Sequence, residues 1–306
     1  MPNETSPRVL CVGALTMDTI FRLHTLPPGP GKFIPVEAVE IAAGMASSAA
    51  VSVARLGGDV SLFASTGQDE IGRRAVAELT AERVDCTHVR TIAGARSAFS
   101  SIFVDAVGER MVVPFYDPAL LSSPGVIPPV AEGAFDVVMT DVRWPLAAVK
   151  VLKAAQEAGV HGVLDADTAT PETLEILMSL ASHIVASEPA AALVTGEIDP
   201  ERATVALAAL YGRNGAFVAV TAGDKGSFWY DELGSQVRHM PAFKVNAVDT
   251  LAAGDVFHGT FAWALARGYP TYQIMRFASA AAAIKCSRFG GRSGAPTKAE
   301  LDILLS

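Results

Sequence analysis

Near the C-terminal end of the chain, Asp249-Thr-Leu-Ala-Ala-Gly-Asp255 sets two carboxylates around a run of very small side chains. Val256-Phe-His-Gly259 follows and leads into an Ala-rich apolar stretch, so the run opens a helix. Small residues at 252–254 let backbone N–H groups converge at that helix start, and such a terminus attracts an anion. Asp255, held there, can accept a proton from a hydroxyl while Ala252, Ala253 and Gly254 offer N–H groups to a transferring phosphoryl. An aspartate capping an ordinary helix has the same local sequence. On the residues alone the two readings stand level.

A second candidate is Val220-Thr-Ala-Gly-Asp-Lys-Gly226. A strand ending in Thr-x-Gly, then a Gly turn, places a hydroxyl and bare backbone near phosphates, although a plain β-turn is the default for such residues. Arg143 follows a strand, where ligand sites of α/β sheets sit; a structural ion pair with Asp141 is the competing reading. Lys32 lies in a Pro-rich segment and reads equally as a solvated loop charge. The chain has no Gly-x-x-x-x-Gly-Lys-[Ser/Thr], and Lys225-Gly226-Ser227 has the wrong order, so it is not a P-loop protein. A strand-linked Gly-x-Gly-x-x-Gly is missing too, which argues against an NAD-dependent oxidoreductase.

The elements that position these residues can be read from periodicity. Apolar runs ended by turn residues predict strands at Arg8–Val12 and 60–64, and then at Val137–Thr140, 162–165, 183–186 and Phe217–Thr221. Helices are predicted over 47–56, 70–83, 146–158, Pro171–Leu180, 189–194 and Pro200–Tyr211, with two more between 254 and 285. Repeated βα units imply a mostly parallel sheet covered on both faces. An antiparallel pair, 228–230 and Gln236–Met240, is expected near one edge. Two regions stand outside the alternation. Residues 21–39 hold Pro27, Pro28, Pro30 and Pro35 and cannot be a helix. Residues 98–104 and Arg110–Phe115, separated by Asp105-Ala-Val-Gly108, predict a β-hairpin. Together, 19–40 and 97–115 are expected to form a small β-sheet lid over an α/β domain made of 1–18, 41–96 and 116–306.

Composition bounds the rest. Half of the 306 residues are hydrophobic and 18% are charged, a globular composition with a sizeable core. The net charge of −8 and the lack of a Lys/Arg block exclude a nucleic-acid surface, while an anionic substrate would need a local basic pocket. Cys11, Cys86 and Cys286 form no CxxC pair and no metal spacing; they read as buried small hydrophobes in a reducing, cytoplasmic protein. Met1–Pro7 is polar with no apolar leader behind it, and no apolar stretch is long enough to span a bilayer.

Asp249-Thr-Leu-Ala-Ala-Gly-Asp255 resembles the second signature of the ribokinase (PfkB-type) carbohydrate kinase family, in which a ribokinase branch also carries Ala-Ala-Gly-Asp. The resemblance extends over essentially the whole chain. It implies a ribokinase-like three-layer α/β sandwich with a small β-sheet lid, and ATP-dependent phosphorylation of a sugar hydroxyl with Mg2+. Asp255 would be the base and Ala252, Ala253 and Gly254 the anion hole. Asp249 and the Leu251 carbonyl would border a monovalent-cation (K+) site where one exists. Asp18, in Val12-Gly-Ala-Leu-Thr-Met-Asp18, would bind sugar hydroxyls. Ala42-Ala-Gly-Met-Ala-Ser-Ser-Ala49 is a weakened form of the family's Gly-Gly-x-Gly-Ala-Asn-x-Ala, with Gly44 and Ser47 toward the sugar and no Asn amide. Thr221, Gly223 and Gly226 would lie at the nucleotide with Ser187. The family's Asn-x-x-Glu, which organises water around Mg2+, is replaced by Ser187 and Ala190; Glu188 is a substitute, or simply a helix N-terminal charge.

Four segments resemble the branch containing sulfofructose kinases: Gly29-Pro-Gly-Lys32, Asp141-Val-Arg-Trp144, Leu164-Asp-Ala-Asp167 and Lys285-Cys-Ser-Arg-Phe-Gly-Gly-Arg292. In that branch the residues matching Lys32 and Arg143 read an anionic sugar end, but a polar lid residue of the branch falls at Pro114 here. The expected substrate is a furanose-like ketose or pentose, with or without an anionic end. The alternatives are a nucleoside kinase of the same fold and a catalytically silent sugar-binding regulator. An exposed lid sheet needs cover, so a homodimer through the lid is expected.

Overall fold

The computed structural model describes residues 6–131, 133–212, 215–231 and 233–306. Of the polar stretch Met1–Pro7, residues 1–5 lie outside the described set.

The chain opens with β1 (Arg8–Val12), then β2 (Thr16–Arg22) and β3 (Glu37–Ala43), which flank the Pro-rich loop. Next come α1 (Met45–Arg55), β4 (Asp59–Phe63), a short β5 (Ser65–Gly67), α2 (Glu70–Ala81) and a short β6 (Arg90–Ile92). The expected hairpin forms as β7 (Phe99–Val104) and β8 (Arg110–Phe115). A regular alternation follows: β9 (Val137–Thr140), α3 (Pro145–Ala158), β10 (His161–Ala166), α4 (Pro171–Leu180), β11 (His183–Ser187), α5 (Glu188–Thr195), α6 (Pro200–Tyr211) and β12 (Phe217–Thr221). Proline in the first turn of α3, α4, α5 and α6 presets φ where no N–H is needed, which explains why these helices start where they do. The chain closes with β13 (Ser227–Asp231), β14 (Gln236–Met240), α7 (Ala253–Ala266), α8 (Thr271–Cys286) and α9 (Lys298–Leu305).

Eight strands form one sheet in the order β14-β13-β12-β11-β10-β9-β1-β4. It is parallel from β4 to β12, and β13 and β14 are antiparallel at one edge, as expected. Side chains alternate between its faces. Val9, Cys11, Val137, Met139 and Val163 pack into the core beneath α1, α7 and α8. Leu10, Val12, Val138, Leu164 and Ile184 face the opposite layer, which α3–α6 cover. Both faces are dry, so the strands read as continuous apolar runs. This is the three-layer α/β sandwich that the resemblance implies.

The second sheet has the order β3-β2-β7-β8 and stands apart as the lid. Its strands run past the expected limits of residue 19 on one side and residue 40 on the other, since β2 starts at Thr16 and β3 ends at Ala43. Backbone pairing from Thr16↔Ala43 through Arg22↔Glu37 draws these flanks into the sheet. Asp18 therefore sits within a lid strand, not in a loop after β1.

Candidate active site

The carboxyl ends of β10, β11 and β12, with Arg143 shortly after β9, open into a cleft of about 470 Å3 beneath the lid sheet. This is the edge at which parallel α/β sheets bind ligands. Asp18 of β2, Gly44, Arg143, Ser187, Thr221, Leu251, Ala252, Ala253, Gly254 and Asp255 all line it. A roomier cavity of about 570 Å3 beside β13 and β14 contains none of the motif residues.

The Ala-Ala-Gly-Asp segment forms the start of α7. Ala252 caps this helix at φ 62°, a left-handed conformation that costs an alanine about 1 kcal/mol or more. Ala252, Ala253 and Gly254 line the cleft at this helix start; the Ala253 N–H donates to the Thr250 carbonyl oxygen at 3.2 Å, and Gly254 is open to the cleft. Ala252→Gly removes the Cβ penalty and should raise Tm by about 2 °C in a scanning calorimeter.

Asp255 follows on the first turn, partly open to the cleft and otherwise enclosed by protein. That enclosure, together with the buried carboxylate of Asp165, holds its pKa well above the usual carboxylate range. Asp165 at the end of β10 is itself pushed well up by burial and by Asp167. Its Oδ2 takes no hydrogen bond and lies 3.3 Å from His258 Nδ1. The two ring nitrogens of His258 face the carbonyl oxygens of Gly254 (2.7 Å) and Val185 (3.1 Å), which ties the first turn of α7 to β11. Burial lowers the His258 pKa, against the pull of these carbonyls and of Asp255.

On the lid side, Asp18 is 7% exposed and accepts a hydrogen bond from Thr16 Oγ1 at 2.8 Å. Burial raises its pKa, and the hydroxyls of Thr16 and Ser100 oppose the rise. Gly44 caps α1 at φ 105°, where a Cβ would lie 2.5 Å from the Ala14 carbonyl oxygen. Ser47 is turned away: its Oγ donates to Ala14 O at 2.8 Å, and it is not among the residues that line the cleft. Ser48, one helical turn beyond Gly44, lines the cleft instead and has a buried, unpartnered Oγ. Of the two adjacent serines, the helical phase turns Ser48 toward the cleft and Ser47 toward Ala14.

Arg143 lines the cleft, but not as the partner of Asp141. Its guanidinium pairs with Asp167 at 2.6 Å and donates to Thr168 O at 3.0 Å. Asp141 is fully buried and accepts from the backbone N–H groups of Ala14, Ala46 and Arg143, which locks three loops together. Lys32 is exposed in the loop between β2 and β3 and is not among the lining residues. Arg110 of β8, which sequence reasoning did not single out, reaches over the cleft and donates to Thr250 Oγ1 at 2.7 Å.

Toward the expected nucleotide end, the Thr221 Oγ1 donates to Ala186 O at 3.4 Å and the Ser187 Oγ to Asp167 Oδ1 at 3.4 Å. Gly223 and Gly226 lie beyond the lining residues. Gly226 has a packing reason to be glycine, because a Cβ there would collide with the Met240 carbonyl. Glu188 pairs with Lys225 at 2.7 Å and does not line the cleft. Its charge is already answered, which removes the simplest case for it as a magnesium residue. Asp249 is fully buried, with Oδ1 accepting from Leu251 N and Oδ2 from the N–H groups of Gly290 and Gly291. Among the described residues, no three His, Cys, Asp or Glu side chains converge to hold a metal, and no helix is long and apolar enough to cross a membrane.

The family model for pfkB carbohydrate kinases matches residues 6–298. The chain belongs to this family. A ribokinase from Haemophilus influenzae is 31% identical over 278 residues, covering 89% of this chain and 90% of its own. A crystal structure from Agrobacterium tumefaciens, of a presumed ribokinase, shares 45% identity at a TM-score of 0.95, covering 98% of both chains. A presumed ribokinase II from E. coli in complex with ATP and Mg2+ superposes at a TM-score of 0.81 with 19% identity, covering 98% of this chain and 99% of the other, a likeness of fold. The protein is thus an ATP-dependent carbohydrate kinase that transfers phosphate to an alcohol. The matches point to ribokinase-like kinases in general and do not single out the sulfofructose kinase branch.

Proposed function

We propose that this kinase phosphorylates an uncharged furanose-like pentose or ketose, with Asp255 as the base. One observation carries the reading: Asp18 on the lid strand and Asp255 at the start of α7 face one cleft, at the carboxyl edge of the parallel sheet. Asp18, with Ser48 and the Gly44 backbone, supports binding of sugar hydroxyls. Asp255 takes the proton of the attacking hydroxyl as it approaches the γ-phosphoryl of ATP. The Gly254 N–H and the positive end of the α7 dipole stabilise the charge that develops on the transferring oxygens. Thr221 and Ser187 lie along the path expected for the nucleotide. Mg2+ suits an all-oxygen set in which ATP phosphates and water are the main ligands and Asp167 and Ser187 stand nearby; when bound it neutralises phosphate charge.

Two of the three arginines that line the cleft are neutralised, which supports a neutral sugar over an anionic one; the third, Arg110, donates to the Thr250 hydroxyl. Arg143 is neutralised by Asp167, and the Arg292 guanidinium is taken by Glu78 and Glu82. Lys32 is not among the lining residues. Arg143→Ala should therefore change KM for a neutral ketose and for its phosphorylated or sulfonated analogue by the same factor, within ~3-fold. A loss of ~10-fold or more confined to the anionic sugar, the scale of a lost charged hydrogen bond, would restore the anionic reading. An ADP-release screen across neutral and anionic pentoses and ketoses reads both outcomes.

Burial and the neighbouring Asp165 carboxylate, which together raise the pKa of Asp255, predict the pH profile. Asp255 works as a base only when ionised, so kcat/KM should rise with pH through an apparent pKa above the ordinary carboxylate range. Asp165→Asn removes one of the charges that hold Asp255 up, so its acid limb should move to lower pH. An unmoved or higher limb would show that Asp255 is not the titrating group.

A homodimer through the lid belongs to the same proposal. Phe33, Ile34, Val36, Met111 and Val113 leave apolar surface exposed on the lid segments, and β3 and β8 are open edges of its sheet. Sedimentation at twice the chain mass is expected; a monomer at micromolar concentration would remove the dimer.

A further inference from the structure

Lys285, at the end of α8, has no exposed surface at all. Its Nζ lies 2.5 Å from the Asp249 carbonyl oxygen, 3.1 Å from Asp249 Oδ2 and 3.4 Å from the Arg288 carbonyl oxygen. A buried ammonium is tolerated only where oxygens replace its water, and this shell is made of two carbonyls and one carboxylate. A monovalent metal ion asks for the same ligands. Asp249 has little left to offer one, because its carboxylate already receives three backbone N–H groups besides the ammonium. An added K+ does not fit this donor set.

We infer that the Lys285 ammonium is a built-in monovalent cation, standing where an exchangeable K+ would otherwise brace the Asp249–Gly254 loop. Its position gives it that work. The Asp249 and Val248 N–H groups bond to the Cys286 carbonyl, so the end of α8 holds the segment leading into the loop. The Leu251 N–H returns to the same carboxylate that Lys285 neutralises. Asp255 lies six residues beyond Asp249, and the left-handed turn at Ala252 that opens α7 lies between them. Lys285 thus acts as a positioning residue: it fixes the loop that presents the anion hole and touches no reacting atom. Burial lowers the pKa of this ammonium, and the Asp249 carboxylate pulls it back up. The activity arm of the test rests on the kinase reading above; the melting arm does not.

The test compares KCl with choline chloride at matched ionic strength, reading ADP release and, separately, melting temperature in the absence of substrates. For the natural chain both should agree in the two salts, within ~2-fold in rate. Lys285→Met keeps the length and removes the charge. A loop displaced by about 1 Å costs on the order of 10²-fold in rate, and K+ or NH4+ should restore several-fold of it. The same ions should raise the variant's Tm by about 2–4 °C relative to choline. Activation of the natural chain by K+ of ~5-fold or more overturns the inference, and so does a folded Lys285→Met variant that responds to no monovalent cation in rate or melting. If the variant does not fold, the two salts on the natural chain decide. If the natural chain consumes no ATP with any sugar, the function fails while the melting comparison still judges the cation.

Discussion

Asp255→Asn is expected to lower kcat by at least ~10²-fold while sugar affinity changes little. Asparagine keeps the volume and a hydrogen-bonding oxygen, and removes proton acceptance. The site isolates that one property. Asp255 lies on the first turn of α7, partly open to the cleft, and its raised pKa makes it a stronger base than a surface aspartate once ionised. Asp18, which is proposed to bind the sugar, stands on the separate lid sheet and is untouched by the change. Steady-state kinetics give kcat, and calorimetric titration with the sugar gives affinity. A variant that turns over near the natural rate would remove Asp255 from its role. A variant that loses sugar binding in proportion to rate would make Asp255 a binding group.

Gly44→Ala should cost about 2–3 kcal/mol of stability and open the sugar side of the cleft. Two penalties act together. The φ of 105° is strained for any residue with a Cβ, and that Cβ would lie 2.5 Å from the Ala14 carbonyl oxygen, a backbone atom that cannot swing aside. Ala14 O also accepts from the Ser47 Oγ and N–H, and the Ala14 and Ala46 N–H groups share the Asp141 carboxylate. A shift at Gly44 therefore disturbs the loop after β1 and the start of α1 at once. Chemical denaturation should show the midpoint falling at constant m, with a higher KM for the sugar and little change for ATP. Unchanged stability would mean that the turn has an alternative geometry.

Much of the fold was legible because both sequence signals agree in the βα region. Arg8–Val12, Val137–Thr140 and Phe217–Thr221 are apolar throughout or nearly so because both faces of the sheet are covered, and prolines mark the starts of the helices between them. The short β5 and β6 were not legible, since three-residue strands carry no periodicity. Helix α9 was missed although it had a local mark: Thr297 and Glu300 form a capping box that closes from both sides.

In the site, the local turn was legible. Asp255, Ala253 and Gly254 open a helix whose beginning the small residues announce. Contacts that depend on tertiary partners were not legible. Arg143 was read as an anion contact or as the partner of Asp141, and the turn after β10 brings Asp167 beside it instead. Ser47 and Ser48 are adjacent in sequence, and only the angle of α1 against Ala14 decides which faces the cleft. Lys285 ends an Ala-rich helix, where a lysine normally reaches solvent; its burial comes from the Asp249 loop, 36 residues earlier in the chain.

Phosphorus NMR of the protein mixed with Mg·ATP and a neutral pentose or ketose tests the central claim most directly. The γ-phosphate resonance should disappear only when sugar is present, with ADP and one sugar phosphate monoester growing in equal amounts, and Asp255→Asn should leave the same mixture almost unchanged over that time. ATP that persists beside every sugar, including one shown by titration to bind, would contradict the account.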